Sequence, residues 1–414
     1  MYITKCQICG SAELIKFLDL NRSPWCNNFL TIDQVGKEEY YPLELQFCKN
    51  CTLVQLTYQV EKSKMFSNHT YVSGTTETLK NHFLEIATDV VNRFEVKEND
   101  LIVDIGGNDG TNLLQYRSLG NFKLMNIESA SNISLISNKN EVPTLCEFFN
   151  EETANRFTEK AKVINASGVF FHLEDLHSVC RGIEKLLSHE GVFVVQFMYL
   201  ADTVENVAFD SIYHEHLLYY TKKSLCHLLE QYGLFPYGFY HSQIHGGSVI
   251  GYFTKKPQET IWIDGINLDE KETKMGLSDI KTYRGFERVV VIYRDILESF
   301  METFTAYGRK PIIYGYGAPA KSTTLLNFCE LDSYITFIEE KNELKCGLYT
   351  PGSHIPIVAV DKTQRPDYYF IFSWNFLKEF VKNEIDYFET GGKFIVPFPK
   401  RPFLVGKNNY KNYL

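Results

Sequence analysis

Residues 101–111, Leu-Ile-Val-Asp-Ile-Gly-Gly-Asn-Asp-Gly-Thr, decide the fold of this chain. Leu101 to Ile105 is a short run of apolar and β-branched residues, a pattern that predicts a buried strand. Residues 106–110 predict a tight glycine turn, and a helical pattern begins near Thr111. A strand, a glycine turn and a helix in this order form the first unit of a doubly wound α/β domain.

The sequence that follows continues the alternation of strands and helices. Further strands are predicted at 122–127, 162–166 and 191–197, and a helix at about 173–187. This alternation implies a parallel sheet that binds its ligand at the carboxyl ends of the strands, where Glu128 is placed to hold two ribose hydroxyls. The candidate cofactor ligands at these strand ends and turns are Asp104, Gly106, Asn108, Asp109, Glu128 and Asn165.

The glycine turn matches neither the phosphate-binding G-x-x-x-x-G-K pattern nor a clean dinucleotide fingerprint. It resembles the S-adenosylmethionine loop of class I methyltransferases, in which glycines let the backbone approach the amino-acid part of the cofactor. Together with Glu128, the turn favours S-adenosylmethionine (SAM). The alternative is another kind of nucleotide-binding α/β domain.

Two identical cysteine pairs, Cys6-x2-Cys9 and Cys48-x2-Cys51, lie within the first 60 residues. A two-residue gap lets both thiolates of a pair bind one ion, and two pairs complete the tetrahedron that zinc prefers. A closed shell of four thiolates leaves no open position for catalysis, so the predicted zinc (Zn2+) is structural. The other cysteines show no such spacing and are interpreted as small hydrophobic residues.

Composition and length exclude several classes of protein. Lys plus Arg number 42 against 51 Asp plus Glu, a formal net charge of −9, and no long basic run is present, so no nucleic-acid partner is expected. The 414 residues predict two or three globular domains. No apolar run approaches the roughly 18 residues that cross a bilayer. The start of the chain lacks the apolar core of a secretory signal, so a cytoplasmic protein with no membrane partner is expected.

Residues 209–220 contain the densest group of acid–base side chains, including Tyr213, Glu215 and His216. In a loop after a central strand they would face the cofactor, where a histidine can accept a proton and a tyrosine can bind a developing oxyanion. His172 and His245 are predicted on neighbouring loops. Each histidine alone is more simply structural, but the cluster as a whole favours catalysis.

The last third of the sequence repeats the strand and glycine turn at residues 311–320. This stretch fits G-x-G-x-x-A, which is typical of NAD-binding turns. The same geometry can place the pyrophosphate of a sugar nucleotide at the helix N-terminus beside Lys321, and this interpretation is favoured because a second, redox cofactor would leave the central domain unexplained. A turn that serves packing alone is the third possibility. Residues 349–354 predict a rigid turn, 255–274 a polar connection, and 277–304 a helix.

These stretches give the chain a resemblance to the zinc-containing sugar C-methyltransferases, which methylate a nucleotide-linked 4-keto deoxysugar. The resemblance runs from the first residues to near the end. The matching stretches are the two cysteine pairs with Thr52-Leu-Val-Gln-Leu56, Tyr71-Val-Ser-Gly74, Asp104 to Gly110, Phe209 to His216, His245-Gly-Gly-Ser248, Tyr314 to Lys321, Gly347 to Pro356 and Ser373-Trp-Asn375.

The resemblance implies an α/β protein in three parts: a small zinc-binding domain at 1–66, a central class I methyltransferase Rossmann-like domain at 67–256, and a C-terminal Rossmann-like substrate-binding domain at 257–414. It implies a base that removes the proton beside the ketone, after which the enolate attacks the methyl group of SAM. The implied catalytic residues are His216 as base, Tyr213, Glu215, Tyr71 and His172. The candidate substrate ligands are Lys321, Tyr316, His245, Tyr349 and His354. Gln196 stands where relatives commonly carry a glutamate.

The leading hypothesis is therefore a monomeric SAM-dependent C-methyltransferase for a nucleoside-diphosphate 4-keto-deoxysugar, acting next to the ketone at C-3. One alternative is an NAD-dependent nucleotide-sugar oxidoreductase that uses the C-terminal glycine turn. The other is a catalytically silent interaction module built from the zinc and Rossmann-like domains.

Overall fold

The computed structural model describes residues 1–66, 72–304 and 310–414. The described chain contains three β-sheets with helices around two of them, as the α/β prediction requires. Tyr71, one of the predicted catalytic residues, lies outside the described residues. None of the helices in the described parts is long and apolar enough to cross a membrane.

The N-terminal sheet is antiparallel, and the two cysteine pairs lie next to its strands in the sequence. Its strands β1 (Leu14–Ser23), β2 (Tyr41–Cys48) and β3 (Val54–Leu56) lie in chain order. The fourth strand, β9 (Leu218–Tyr219), comes from the middle of the sequence and pairs with β3. The loop that carries His216 therefore leads straight into the N-terminal sheet.

The central sheet has eight strands, in the order β12-β10-β11-β8-β7-β4-β5-β6. Five of them are parallel, from β6 to β8, and β11 is antiparallel to both of its neighbours. Its strand order reverses between β4 and β7, which places the ligand crevice of such a sheet beside Gly106 and Gly168. The strands are β4 (Leu101–Ile105), β5 (Lys123–Ile127), β6 (Thr144–Leu145), β7 (Ala161–Ser167), β8 (Leu187–Met198), β10 (Phe235–Ser242), β11 (Ser248–Thr254) and β12 (Ile261–Trp262).

The C-terminal sheet repeats the same strand order on a smaller scale, β15-β14-β13-β16-β17-β18, with only β18 antiparallel. Its crevice lies between β13 and β16, beside Gly317 and Trp374. The strands are β13 (Ile313–Tyr316), β14 (Ile338–Glu340), β15 (Ile357–Ala359), β16 (Tyr368–Ile371), β17 (Lys393–Val396) and β18 (Phe403–Val405).

The helices cover the central and C-terminal sheets. They are α1 (Lys62–Phe66), α2 (Glu77–Arg93), α3 (Thr111–Leu119), α4 (Ser131–Lys139), α5 (Glu151–Asn155), α6 (Leu176–Leu186), α7 (Leu200–Asn206), α8 (Lys222–Leu229), α9 (Leu268–Met275), α10 (Ile280–Glu302), α11 (Ala320–Phe328), α12 (Leu377–Asn383) and α13 (Ile385–Glu389). Helix α6 begins later than predicted, because the Asp175 side chain accepts the N–H of Ser178 and caps the helix there.

The predicted polar connection at 255–274 is wrong in part, since it contains β12 and most of α9. Asn267 caps α9 by accepting the N–H groups of Asp269 and Glu270. The buried carboxylate of Glu272 accepts a hydrogen bond from the Tyr199 hydroxyl at 3.1 Å, so this segment is fastened to the central domain. The domain boundaries at 66/67 and 256/257 stay a prediction.

Candidate active site and metal centre

The four predicted zinc ligands converge in the N-terminal sheet. All four sulfur atoms lie within 4.8 Å of one another, with Cys6 and Cys51 at 3.4 Å and Cys9 and Cys48 at 3.6 Å. Thiolates at about 2.3 Å around one tetrahedral zinc would be roughly 3.8 Å apart, so the arrangement fits that ion. The four cysteines fill all four positions of the tetrahedral shell, which therefore suits a structural zinc.

Each cysteine pair is folded by the residue that follows it. Gly10 and Thr52 adopt positive φ angles of 70° and 65°, and their N–H groups donate to the carbonyls of Cys6 and Cys48 at 2.9 and 3.0 Å. This turn points both sulfur atoms of a pair to the same side. Thr52 holds this strained conformation without the freedom of a glycine.

The glycine turn after β4 leaves no room for a side chain. A Cβ on Gly107 would lie 2.4 Å from Asn126 Oδ1 and 2.7 Å from Asp104 Oδ2. Asp104 is 1% exposed; its Oδ2 accepts the Asn112 amide at 3.0 Å and its Oδ1 has no partner among the described residues. Burial raises the pKa of Asp104 to about 7. A buried acceptor beside a bare backbone fits the ammonium group of an amino-acid cofactor such as SAM.

Glu128 is fixed at the end of β5, beside the same turn. One carboxylate oxygen accepts the N–H of Asn108 at 3.1 Å, and the other accepts the N–H of Ala130 at 2.8 Å. This is the place from which an acidic side chain binds a nucleoside's ribose. SAM, when bound, supplies an electrophilic methyl group; Asp104, Gly106 and Glu128 converge on the turn that would hold it.

Three other predicted cofactor residues have partners within the protein. The side chains of Asn108 and Asp109 accept the N–H groups of Ser73 and Gly74 at 2.9 and 3.0 Å, which holds this segment across the turn. Asn165 is fully buried on β7, where its Oδ1 accepts the Tyr116 hydroxyl at 3.0 Å. Their direct contact with the cofactor stays a prediction.

The ring of His216 is oriented by a backbone carbonyl. Its Nδ1 lies 2.8 Å from the carbonyl of Ser211, and since a carbonyl only accepts, Nδ1 carries a proton and Nε2 is the nitrogen that bears the lone pair of the neutral ring. Burial, with the nearby His172, holds the pKa of His216 well below its usual range. The ring centroid lies 3.8 Å from that of Tyr213 and 5.0 Å from that of His172.

The residues around His216 are fastened to distant parts of the chain. His172 donates from Nδ1 to the Glu215 carbonyl oxygen. The Glu215 carboxylate accepts the side-chain amide of Asn27 at 2.6 Å and its backbone N–H at 3.3 Å. The N-terminal segment thus fixes the loop, and Glu215 is turned towards that segment.

The C-terminal sheet contributes a second group of side chains to this place. Lys321, in the first turn of α11, donates to Asn375 Oδ1 at 2.7 Å and lies 3.7 Å from Asp210 Oδ2. Trp374 donates from its indole nitrogen to the same Asp210 oxygen at 2.8 Å. Because Asp210 belongs to the loop of His216, the carboxyl ends of the central and C-terminal sheets face one another here.

The predicted loop at His245 also takes part in the contact between the central and C-terminal domains. A Cβ on Gly246 would lie 2.8 Å from the Trp374 ring, so His245-Gly-Gly is packed directly on that indole. Burial lowers the pKa of His245 to about 4, with smaller contributions from His82 and Lys321. The structure therefore brings three predicted histidines and Lys321 to one junction.

Two further groups at this junction were not predicted from the sequence. Asp210 and Trp374 lie inside quoted motifs but were not predicted as site residues, and only the fold shows their contact. His82, on α2, lies with Nε2 2.7 Å from Gln196 Oε1 at the end of β8, and both side chains are buried. No pattern around His82 marked it, whereas Gln196 was noticeable as a polar residue in an apolar strand.

The remaining predicted substrate ligands have hydrogen-bond partners elsewhere in the protein. The Tyr316 hydroxyl donates to Glu384 at 3.2 Å inside the C-terminal domain. Tyr349 makes backbone hydrogen bonds with Leu30, and His354 contacts the carboxylate of Glu38. Tyr349 and His354 fasten the N-terminal segment to the C-terminal domain, and the contact of all three residues with substrate stays a prediction.

Three family models match the chain in succession. They are described as "Putative zinc binding domain" at residues 6–66, "Methyltransferase domain" at 80–235 and "C-methyltransferase C-terminal domain" at 243–399. The order of these matches agrees with the order of the three sheets.

A curated relative matches the chain from end to end. The C-methyltransferase NovU of Streptomyces niveus is 29% identical over 406 residues, which is 96% of each chain. Two solved structures align with less than half of the chain. A SAM-dependent methyltransferase from Clostridium acetobutylicum aligns with a TM-score of 0.35 and 10% identity over 44% of this chain and 92% of its own. A second, from Thermotoga maritima, aligns with a TM-score of 0.33 and 14% identity over 43% of this chain and 92% of its own.

The zinc-binding thiols, the cofactor turn and these matches agree. The chain is a SAM-dependent methyltransferase with an N-terminal zinc-binding domain, and it is a homologue of a C-methyltransferase.

Proposed function

We propose that this C-methyltransferase acts on a nucleoside-diphosphate 4-keto-deoxysugar and methylates the carbon next to the ketone, C-3. One observation carries the proposal: the imidazole of His216 is buried, and its Nδ1 donates to Ser211 on the loop whose Asp210 contacts Trp374 of the C-terminal domain. Methylation at carbon needs a carbon nucleophile, and a C–H group beside a ketone is acidic enough for a neutral imidazole to deprotonate when the oxyanion is stabilised.

In this proposal His216 is the base. Its Nδ1–H is held by the Ser211 carbonyl, so Nε2 is the atom that accepts the proton from C-3. The electron pair of that C–H bond forms the enolate, whose oxygen is stabilised by a hydrogen bond from a polar side chain such as that of Tyr213. The enolate carbon forms a new C–C bond to the methyl group of SAM, and adenosylhomocysteine leaves.

Burial supports this role for His216 in two ways. A low pKa keeps the imidazole in its proton-accepting form at neutral pH. Exclusion of water strengthens the attraction between the imidazolium that forms and the enolate beside it. Tyr71 is proposed as a further polar residue of the site on resemblance alone.

The C-terminal crevice is proposed to hold the nucleotide part of the substrate. Lys321 is partly buried in the first turn of α11 and supplies positive charge for a diphosphate at the helix N-terminus. The contact of Trp374 with Asp210 places this crevice next to the His216 loop, so a sugar bound there can reach the base.

The test has two parts. The enzyme is incubated with SAM and a panel of nucleotide 4-keto-sugars, and we expect mass spectrometry to find one added methyl group on carbon. In heavy water with adenosylhomocysteine in place of SAM, we expect the C-3 proton to exchange for deuterium, and His216→Asn to abolish the exchange. Transfer of the methyl group to oxygen or nitrogen would contradict the proposal. So would deuterium exchange at C-3 that is unchanged in the His216→Asn variant.

A further inference from the structure

Helix α10 has apolar residues on two of its sides, one buried and one exposed. The exposed side contains Val289, Ile292 and Ile296, which are 45%, 56% and 46% exposed. Single exposed aliphatic residues are common on protein surfaces, but three in one row along a helix form a continuous patch. The buried side packs into the core and consists of Tyr283, Phe286, Val290, Tyr293, Leu297 and Met301.

The exposed row has the spacing with which one helix packs against another. Its members follow one another at intervals of four and three residues, which is the alternation of d and a positions in a heptad. Helix α10 is 23 residues long, or roughly 34 Å at 1.5 Å per residue, so the whole row lies on one helix. We call this row the α10 seam; it consists of Gly285, Val289, Ile292, Ile296 and Ser299.

The charges beside the seam identify a helix that would fit it. The g positions of the same heptads are Lys281, Arg288, Asp295 and Glu302, all of them exposed. The first two are basic and the last two are acidic. Two antiparallel copies of α10 would therefore place Arg288 of each copy beside Asp295 of the other. In the same register Lys281 would lie beside Glu302, so every charge along this edge meets its opposite.

The other edge of the seam is closed by the protein itself. Phe286 and Tyr293 occupy its e positions and are 5% and 2% exposed. In parallel helices a g position faces an e position of the partner, whereas in antiparallel helices it faces another g position. Since the e positions are buried, the charges on the g edge can pair only in the antiparallel orientation.

The same register also matches the sizes of the side chains. It places Val289 of one copy against Ile292 of the other, close to the twofold axis. It places Ile296 over Gly285, where a Cβ atom would have nothing within 4 Å. A glycine inside an exposed helix costs about 1 kcal/mol relative to alanine. An isoleucine that packs into the space above it accounts for a small residue at this position.

The contact that Asp295 makes within its own chain does not prevent this pairing. Its carboxylate lies 3.4 Å from Arg294, and the two side chains are 62% and 37% exposed. An exposed pair of neighbouring residues contributes little to stability. The carboxylate can therefore turn to Arg288 of a second copy at little cost.

We propose that a second copy of this chain covers the α10 seam and forms an antiparallel helix pair with twofold symmetry. The protein would then be a dimer, in place of the monomer expected from the sequence. One helix pair buries less than the roughly 1,200 to 2,000 Å² of a standard stable interface, so the dimer forms with a dissociation constant in the micromolar range.

Sedimentation of the full-length, zinc-loaded protein tests the dimer. Between about 1 µM and about 200 µM we expect the mass to rise from 48.0 kDa towards twice that value. Ile292→Glu puts a carboxylate in the middle of the seam and should keep the protein monomeric at every concentration. Leu135 on α4 is 63% exposed, and Leu135→Glu is the matched control that should dimerise as the wild type does. Unchanged binding of adenosylhomocysteine shows that each variant is folded.

Reversal of the charges tests the orientation of the two helices. Arg288→Asp or Asp295→Arg alone creates two pairs of like charges in a symmetric dimer, and each should weaken association by at least about tenfold. A mixture of the two single variants should recover it, because each supplies the charges that the other needs. The double variant should also recover it, since both of its pairs are again opposite in sign.

Three results would overturn the inference. A mass of 48.0 kDa at every concentration would show that the seam binds a different protein and not a second copy. A dimer that persists in Ile292→Glu would place the interface elsewhere. A dimer that the charge reversals do not weaken, or that the mixture of single variants does not restore, would exclude the antiparallel register.

Discussion

The Nζ atom of Lys321 lies 3.7 Å from the Oδ2 atom of Asp210, and this ion pair connects α11 to the loop of His216. The Asp210 side chain is 1% and the Lys321 side chain 15% exposed. Burial raises the pKa of Asp210, which the Lys321 charge and the Trp374 indole oppose. A buried pair of this kind sets geometry, because neither charge tolerates the loss of its partner.

Breaking this pair should reduce both stability and turnover. For Asp210→Asn we expect the free energy of unfolding to fall by about 3 kcal/mol, because the Lys321 ammonium is left buried without its partner. The double variant with Lys321→Met should recover part of the stability but not the turnover. Urea unfolding and steady-state kinetics measure the two effects. The exposed Lys123–Glu159 pair is the control, where Lys123→Met should cost less than about 1 kcal/mol. Strictly additive changes for Asp210 and Lys321 would contradict the coupling.

Removing the proposed base should affect catalysis and not cofactor binding. For His216→Asn we expect kcat to fall by about 10³-fold, the middle of the range for a general base, with an unchanged Kd for adenosylhomocysteine. Asparagine can still donate to the Ser211 carbonyl but has no imidazole lone pair. The exposed His189 provides the matched control, and His189→Asn should turn over as the wild type does. Retention of more than a tenth of the wild-type kcat by the His216 variant would rule out this base.

Stability should depend on pH through the buried histidines. Burial lowers the pKa of His214, which is 0% exposed, to about 4, against about 6.5 in the unfolded chain. The unfolded state then takes up the proton first, so stability is complete above about pH 6.5 and is lost as the pH falls towards 4. This histidine should account for about 2 kcal/mol of the loss between pH 7 and 5.

The variant His214→Phe measures that contribution. Denaturant unfolding at a series of pH values should show a shallower loss of stability below pH 6.5 than in the wild type. The exposed His189→Phe is the control and should keep the wild-type slope. Equal slopes in all three proteins would show that His214 takes up its proton without unfolding.

Zinc should stabilise the protein without taking part in the reaction. Cys48→Ser opens the four-thiolate shell, and we expect the free energy of unfolding to fall by at least about 3 kcal/mol, with loss of bound zinc by metal analysis. A strong chelator should have the same effect on the wild type. Cys146 is exposed and lies outside the cluster, so Cys146→Ser should keep its zinc and its stability. A zinc-free protein as stable as the loaded one would contradict a structural metal.

The cofactor turn should not tolerate a methyl group. Gly107→Ala places a Cβ 2.4 Å from Asn126 Oδ1, and we expect the affinity for adenosylhomocysteine to fall by at least about tenfold. Gly285, within α10, has nothing within 4 Å of the same position. Gly285→Ala should therefore bind normally and gain up to about 1 kcal/mol of stability from helix propensity. Normal binding by the Gly107 variant would show that the turn can shift.

The parts of the fold that are encoded locally could be predicted from the sequence. Strand β4 was predicted to the residue, because Leu101 to Ile105 is apolar except for Asp104 and is followed by two glycines. The four zinc ligands were predicted from their spacing alone. The contact of Asp210 with Trp374 joins residues that are 164 positions apart, so no local sequence pattern predicts it. Strand β9 escaped prediction because two residues are too few to show a period.

The pairing of β9 with β3 also constrains how the protein is made. A chain that emerges from the ribosome N-terminus first presents the cysteine pairs within its first 51 residues, but the partner strand only at Leu218. Until then β3 has an unpaired edge, open to other chains. The metal-binding unit thus finishes folding only after most of the cofactor-binding sheet has been synthesised, and we expect a fragment that ends near residue 66 to aggregate when expressed by itself.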